Sequence, residues 1–117
     1  MKWLLMAIRL IVLVEVILGI LFWLGKAIGL TQLHVALGFL LVLCMLALAG
    51  GAIARRAPVG LVALEIVWAL VLPVVGFWQL NVATSGAHVA VQVVHLLLGL
   101  GAAGVSERLA SRAKTTV

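Results

Sequence analysis

The sequence predicts an all-α integral membrane protein: a four-helix up-down bundle with a 2+2 helical-hairpin repeat. Three observations carry this expectation. The chain of 117 residues is 67% hydrophobic and only 9% charged, where a soluble domain has roughly a quarter of its residues charged. It divides into four apolar segments of membrane-crossing length. Its two halves share a pattern of residues. A single transmembrane domain, 1–117, is expected.

The segments run over about 3–25, 32–54, 58–80 and 86–105. At about 1.5 Å per residue, some 20 residues cross a hydrocarbon core of about 30 Å. The first segment follows Lys2 but is too long for a signal peptide, and no small-residue cleavage site leads into a polar chain. It reads as a retained helix. "GKAIGLTQ" joins the first two segments, "RRAP" the second and third, and "NVATSGA" the last two. Such short connections make antiparallel neighbours. Pro73 inside the third segment removes one backbone donor and predicts a kink. "GLGAAG" (99–104) offers small residues for close helix approach within the bundle or at a homodimer face. The tail "SERLASRAKTTV" reads as a helix end followed by a frayed terminus.

The net charge of +5 does not point to nucleic acid, because the basic residues flank apolar segments and act as topology signals. Lys2, Arg9, Arg55, Arg56, Arg108, Arg112 and Lys114 fall on one side and Lys26 alone on the other. The positive-inside rule then expects a multi-pass protein of a bacterial-type inner membrane with both termini cytoplasmic. Trp3 falls near the inner interface, Trp23 and Trp78 near the outer one. The single cysteine, Cys44, excludes an intrachain disulfide.

The halves match in outline. Each odd segment carries one glutamate, Glu15 or Glu65, and ends in Phe-Trp, at Phe22-Trp23 and Phe77-Trp78. Each even segment then opens with His-Val-Ala, at His34 and His88. Counting back from Arg55 and Arg108 places His34 and His88 at nearly one depth, with His95 about two turns deeper on the His88 face.

Ionisable groups inside a bilayer are costly and by default functional. Two imidazoles at one depth on parallel helices suit an iron porphyrin, which takes one ring nitrogen on each face. His34 and His88 are the first expected ligand pair; His34 with His95 is the pair if the fourth helix is shifted or tilted. Gly38 and Gly99, one turn after His34 and His95, would let a flat ring approach the backbone. Met45 is the one sulfur that could pair with His95. Lys26 could pair with the acid groups of a haem. Zinc would want a fourth ligand beyond the three histidines. The bland alternative is histidines that only hydrogen-bond between helices. Glu15 and Glu65 could relay protons, accept a hydrogen bond from an imidazole, or serve as neutral interhelical links. Six residues separate Arg9 from Glu15, a poor intrahelical alignment, so Arg9 is expected to snorkel to the interface.

"QLHVALGFLLVLCMLALAGGAIARR" and "HVAVQVVHLLLGLGAAGVSERLA" resemble the histidine-bearing helices of small membrane b-type cytochromes, and more narrowly a four-helix half-unit of haem A synthase. The resemblance implies haem b held by His34 and one of His88 or His95. It implies electron transfer with a quinone or a redox protein. It does not imply haem A synthesis: that family has two such halves and a glutamate close before its helix-2 histidine, where this chain has Leu30-Thr31-Gln32-Leu33. A second likeness runs through "VLVEVILG" and "APVGLVALEIVWAL", which resemble the first and third helices of the small multidrug resistance exporters. It implies proton-coupled export through Glu15, although Glu65 departs from that pattern. A third expectation is an accessory subunit of a larger membrane complex. No nucleotide loop, Ser/His/Asp set or CxxC is present, and no catalytic residue is assigned.

Overall fold

The computed structural model describes residues 1–81 and 88–115, and of Asn81, His88, Lys114 and Thr115 the backbone alone. Its elements are α1 (Lys2–Trp23), a 3-10 turn (Ile28–Leu30), α2 (Thr31–Ala54), α3 (Val59–Asn81) and α4 (His88–Thr115). The described residues contain no strand, and the four helices pack as an all-α bundle. All four are long and apolar enough to cross a membrane. Large apolar side chains such as Leu10, Leu43, Val67, Val74 and Leu97 are exposed along them, as a lipid-facing surface requires.

The first two connections are tight because both helices end in the same backbone device. After α1, the Lys26 N–H donates to the Leu21 carbonyl at 2.8 Å and the Gly25 N–H to Phe22 at 2.9 Å. The turning residue, Gly25, has φ +73°, the left-handed conformation that this Schellman closure needs. After α2, the Ala57 N–H donates to Ala52 at 3.0 Å and the Arg56 N–H to Ile53 at 2.9 Å. There the left-handed residue is Arg56, at φ 56°, and Pro58 follows. The third connection, expected at "NVATSGA", falls on 82–87 and lies outside the described residues.

α4 is longer than the sequence suggested. The tail expected to fray continues as helix to Thr115, because it has its own buried face: Leu109, Ala110 and Ala113 belong to the main core. It is also tied to α1. Arg9 and Glu107 form a two-pronged ion pair, with Arg9 Nη2 donating to Glu107 Oε2 at 3.0 Å. Arg9, expected to reach for the interface, therefore reaches for another helix.

Each helix packs against its two neighbours around the bundle. Across the diagonals, the backbones of α2 and α4 approach closely, while those of α1 and α3 do not among the described residues. The bundle is thus a rhombus with α2 and α4 on its short diagonal. Side chains on those two helices are the ones that can face each other through the middle.

The two halves of the bundle are filled differently. In the half nearer the chain ends, Ile8, Met45, Leu48, Ala52, Ala102 and Leu109 are fully buried in one continuous core. Met45 sits within this core, so it is not a partner for His95. Glu65 is fully buried there too, accepting a 2.7 Å hydrogen bond from the Ser106 hydroxyl. This is the interhelical-link role among those anticipated for it. One turn along, Trp68 Nε1–H donates to the Leu98 carbonyl at 2.8 Å, and its ring fills the place where Gly101 lacks a side chain. Within the small-residue run 99–104, Gly101 and the fully buried Ala102 serve contacts inside the bundle.

Candidate functional site

The half farther from the chain ends is hollow. A cavity of about 480 Å3 opens there, and all four helices line it. Val12, Leu41 and Leu72 separate it from the packed core. Its walls are apolar and aromatic, with Phe22, Trp23, Phe39 and Phe77. Its polar groups are few and include Glu15, His34 and His95. α3 runs unbroken through Pro73, which lines the same cavity.

The short diagonal brings His34 of α2 and His95 of α4 together. Their ring centroids lie 6.2 Å apart, with planes nearly perpendicular at 82°. His34 comes from the first turn of α2, where Thr31 Oγ1 bonds the Ile28 carbonyl at 2.7 Å and ties the helix start to the 3-10 turn. Phe22 packs edge-on against the His34 ring at 5.4 Å. His34 Nδ1 stands 3.2 Å from Glu15 Oε1, although neither atom makes an aligned hydrogen bond. His95 is held differently. Its ring lies against Gly76 of α3, where an added Cβ would come within 3.2 Å of Cε1. His95 Nδ1 is buried without a partner.

His34 and His95, two of the three histidines singled out from the sequence, thus share one site. His88 opens α4 two turns before His95, and its side chain lies outside the described residues. Opposite His34 stands His95, the alternative that a shifted fourth helix allowed. Gly38 and Gly99 both line the cavity, but in different ways. A Cβ on Gly38 would stand 3.4 Å from Glu15 Oε2, an ordinary contact, so Gly38 lies beside that carboxylate. Gly99 faces open space. Lys26 is exposed.

Two contributors were not singled out from the sequence as parts of a site: Gly76 beneath His95, and Phe22 beside His34. The signal for the facing pair was present. His34-Val-Ala-Leu-Gly38 and His95-Leu-Leu-Leu-Gly99 are the same His-x-x-x-Gly run.

Among the described residues no cluster of three or more histidine, cysteine or acidic side chains could hold a bare metal ion. Two facing imidazoles suit a metal that brings its own equatorial ligands. Taking about 2 Å for a metal–imidazole bond, two rings on opposite faces of one metal have centroids roughly 6 Å apart. The cavity falls within the roughly 300–1,000 Å3 of small-molecule and cofactor sites, and like them is mainly apolar with a few placed polar groups. The donor set and the space therefore fit an iron porphyrin. No family model matches the chain, nor does any curated protein or solved structure.

Proposed function

We propose that this chain is a membrane b-type haem protein that passes single electrons, with His34 and His95 as the axial pair. One observation carries the reading: the imidazoles of His34 and His95, on the diagonal helices, have ring centroids 6.2 Å apart and line one cavity of about 480 Å3. The resemblance of the two histidine-bearing helices to small membrane cytochromes supports it. Haem b, when bound, would supply a one-electron iron couple. The chain's own residues would bind it through a ring nitrogen of His34 and of His95 and keep water out with Phe22, Phe39 and Phe77. A quinone or a redox protein is the partner that one-electron chemistry calls for. The lysine and arginine distribution supports an inner-membrane protein with both termini cytoplasmic.

The test is a dithionite-reduced minus oxidised visible spectrum of protein purified in mild detergent from haem-replete cells. Sharp reduced α and Soret bands are expected. His34→Ala and His95→Ala should each abolish them while the bundle stays folded, and His88→Ala should not. Normal haem content in His34→Ala sinks the reading. Bands lost in His88→Ala and kept in His95→Ala would move the second ligand to His88.

Glu15 on the wall of an aromatic cavity favours one rival, a proton-coupled exporter of apolar cations. That reading requires drug efflux that disappears in Glu15→Gln. It falls if intact cells show no such efflux.

A further inference from the structure

Among the described residues, four buried polar side-chain atoms are without a hydrogen-bond partner: Glu15 Oε1, His34 Nδ1, Glu65 Oε2 and His95 Nδ1. Two of them face each other. Glu15 Oε1 and His34 Nδ1 stand 3.2 Å apart, one a pure acceptor when ionised, the other a ring nitrogen able to donate. A small rotation of either side chain makes one bond and satisfies both atoms. Arg9 is engaged with Glu107, and Glu65 is tied to Ser106. Gly38 lies beside the second Glu15 oxygen, which a Cβ there would meet at 3.4 Å.

We propose that Glu15 is the positioning residue of His34. Its Oε1 accepts the Nδ1 proton, which fixes the imidazole as the Nδ1–H tautomer and leaves Nε2 as the free nitrogen. The tautomer stands on the Glu15–His34 geometry alone. Its consequence for a bound metal rests on the haem reading. A carboxylate behind a ligating histidine orients the ring and raises its basicity. Were it ionised, it would also place negative charge beside the metal and favour the oxidised state. His95 has no such partner, so the two ligands of the proposed pair are unequal: His34 is anchored by charge, His95 by packing against Gly76.

The first measurement is on haem-free protein. Imidazole 15N shifts of histidine-labelled protein report the tautomer, and the His34 signals are identified by their loss in His34→Asn. Wild type should show His34 protonated at Nδ1. Glu15→Gln, which keeps a neutral acceptor, should hold that tautomer. Glu15→Leu should release it to a mixture. An unchanged tautomer in Glu15→Leu overturns the proposal.

The second measurement is a redox titration of haem-loaded protein. Glu15→Gln should raise the ratio of reduced to oxidised haem at least tenfold at a fixed poise, about 59 mV for a one-electron couple. Glu15→Leu should raise it further and weaken haem retention by about 10–100-fold, as loss of an outer partner does. An unchanged potential in Glu15→Gln removes the electrostatic half. If wild type takes up no haem, the haem reading fails, and the tautomer result still decides the role of Glu15.

Discussion

Gly101→Ala adds one methyl group at the tightest place in the bundle. A Cβ at Gly101 would overlap Cζ2 of Trp68 and stand 3.1 and 3.2 Å from Cε2 and Cη2. The obstacle is a rigid indole, whose Nε1 donates to the Leu98 carbonyl at 2.8 Å, so it cannot swing aside without losing that bond. Overpacking of a filled contact costs about 1–3 kcal/mol, and a lost hydrogen bond adds about 0.5–1.5 kcal/mol. The better helix propensity of alanine returns up to about 1 kcal/mol. The net expectation is a loss of about 1–3 kcal/mol. Gly104→Ala is the matched control: same helix, same methyl group, and nothing within 4 Å of the added Cβ. It should be neutral or slightly stabilising. Reversible unfolding in mixed micelles of rising dodecyl sulfate fraction, followed by circular dichroism, measures both. Trp68→Phe, which removes the indole N–H and the larger ring, should recover part of the Gly101→Ala loss. Equal shifts for the two glycine variants would refute the argument that Trp68 occupies the place of a Gly101 side chain.

Ser106→Ala takes the hydroxyl from the fully buried Glu65 Oε1 and should cost about 1–3 kcal/mol. The double variant Glu65→Leu/Ser106→Ala, which removes both polar partners, should unfold close to wild type in the same assay. Leu109→Ala, in the segment expected to fray, should cost about 2–5 kcal/mol because Leu109 is fully buried. A loss below about 0.5 kcal/mol, the range of ordinary surface changes, would mean that the α4 extension contributes nothing to the core.

The helices were legible because bilayer length and hydropathy are properties of each segment alone. Their ends were legible where a glycine or proline marked a turn, as at Gly25 and Pro58. Arg56 carries a left-handed turn that no residue type announces. The reach of α4 was not legible because only three of its last residues, Leu109, Ala110 and Ala113, are in the core, too few for a periodicity to stand out in a polar tail. At the site, the need for paired histidines could be read, but the register between helices could not. Counting from flanking arginines assumes parallel helices entering at one depth, and it made His88 the equal of His34. The structure brings the ring of His95, two turns further along α4, to 6.2 Å from His34. The Glu15–His34 contact depends on how α1 is rotated against α2, which an almost uniformly apolar helix does not encode in its pattern.

The contrast between the two halves of the bundle is an argument about what the far half holds. Near the chain ends Ser106 bonds Glu65, Trp68 the Leu98 carbonyl and Arg9 Glu107, and among the described residues one buried polar side-chain atom there, Glu65 Oε2, is without a partner. In the far half, Glu15 Oε1, His34 Nδ1 and His95 Nδ1 lack aligned partners around a cavity of about 480 Å3. Acyl chains would match its walls and leave the imidazoles unsatisfied. Water would satisfy the imidazoles and find further partners at Glu15, Thr31, Gln79 and Gln92, but most of the wall it met would be apolar. A broad apolar group with a metal at its centre matches both at once, meeting the walls with its rim and the two rings with its axis. Haem has that shape, and the proposal that haem fills this cavity makes the spectrum of the purified protein the first experiment to make.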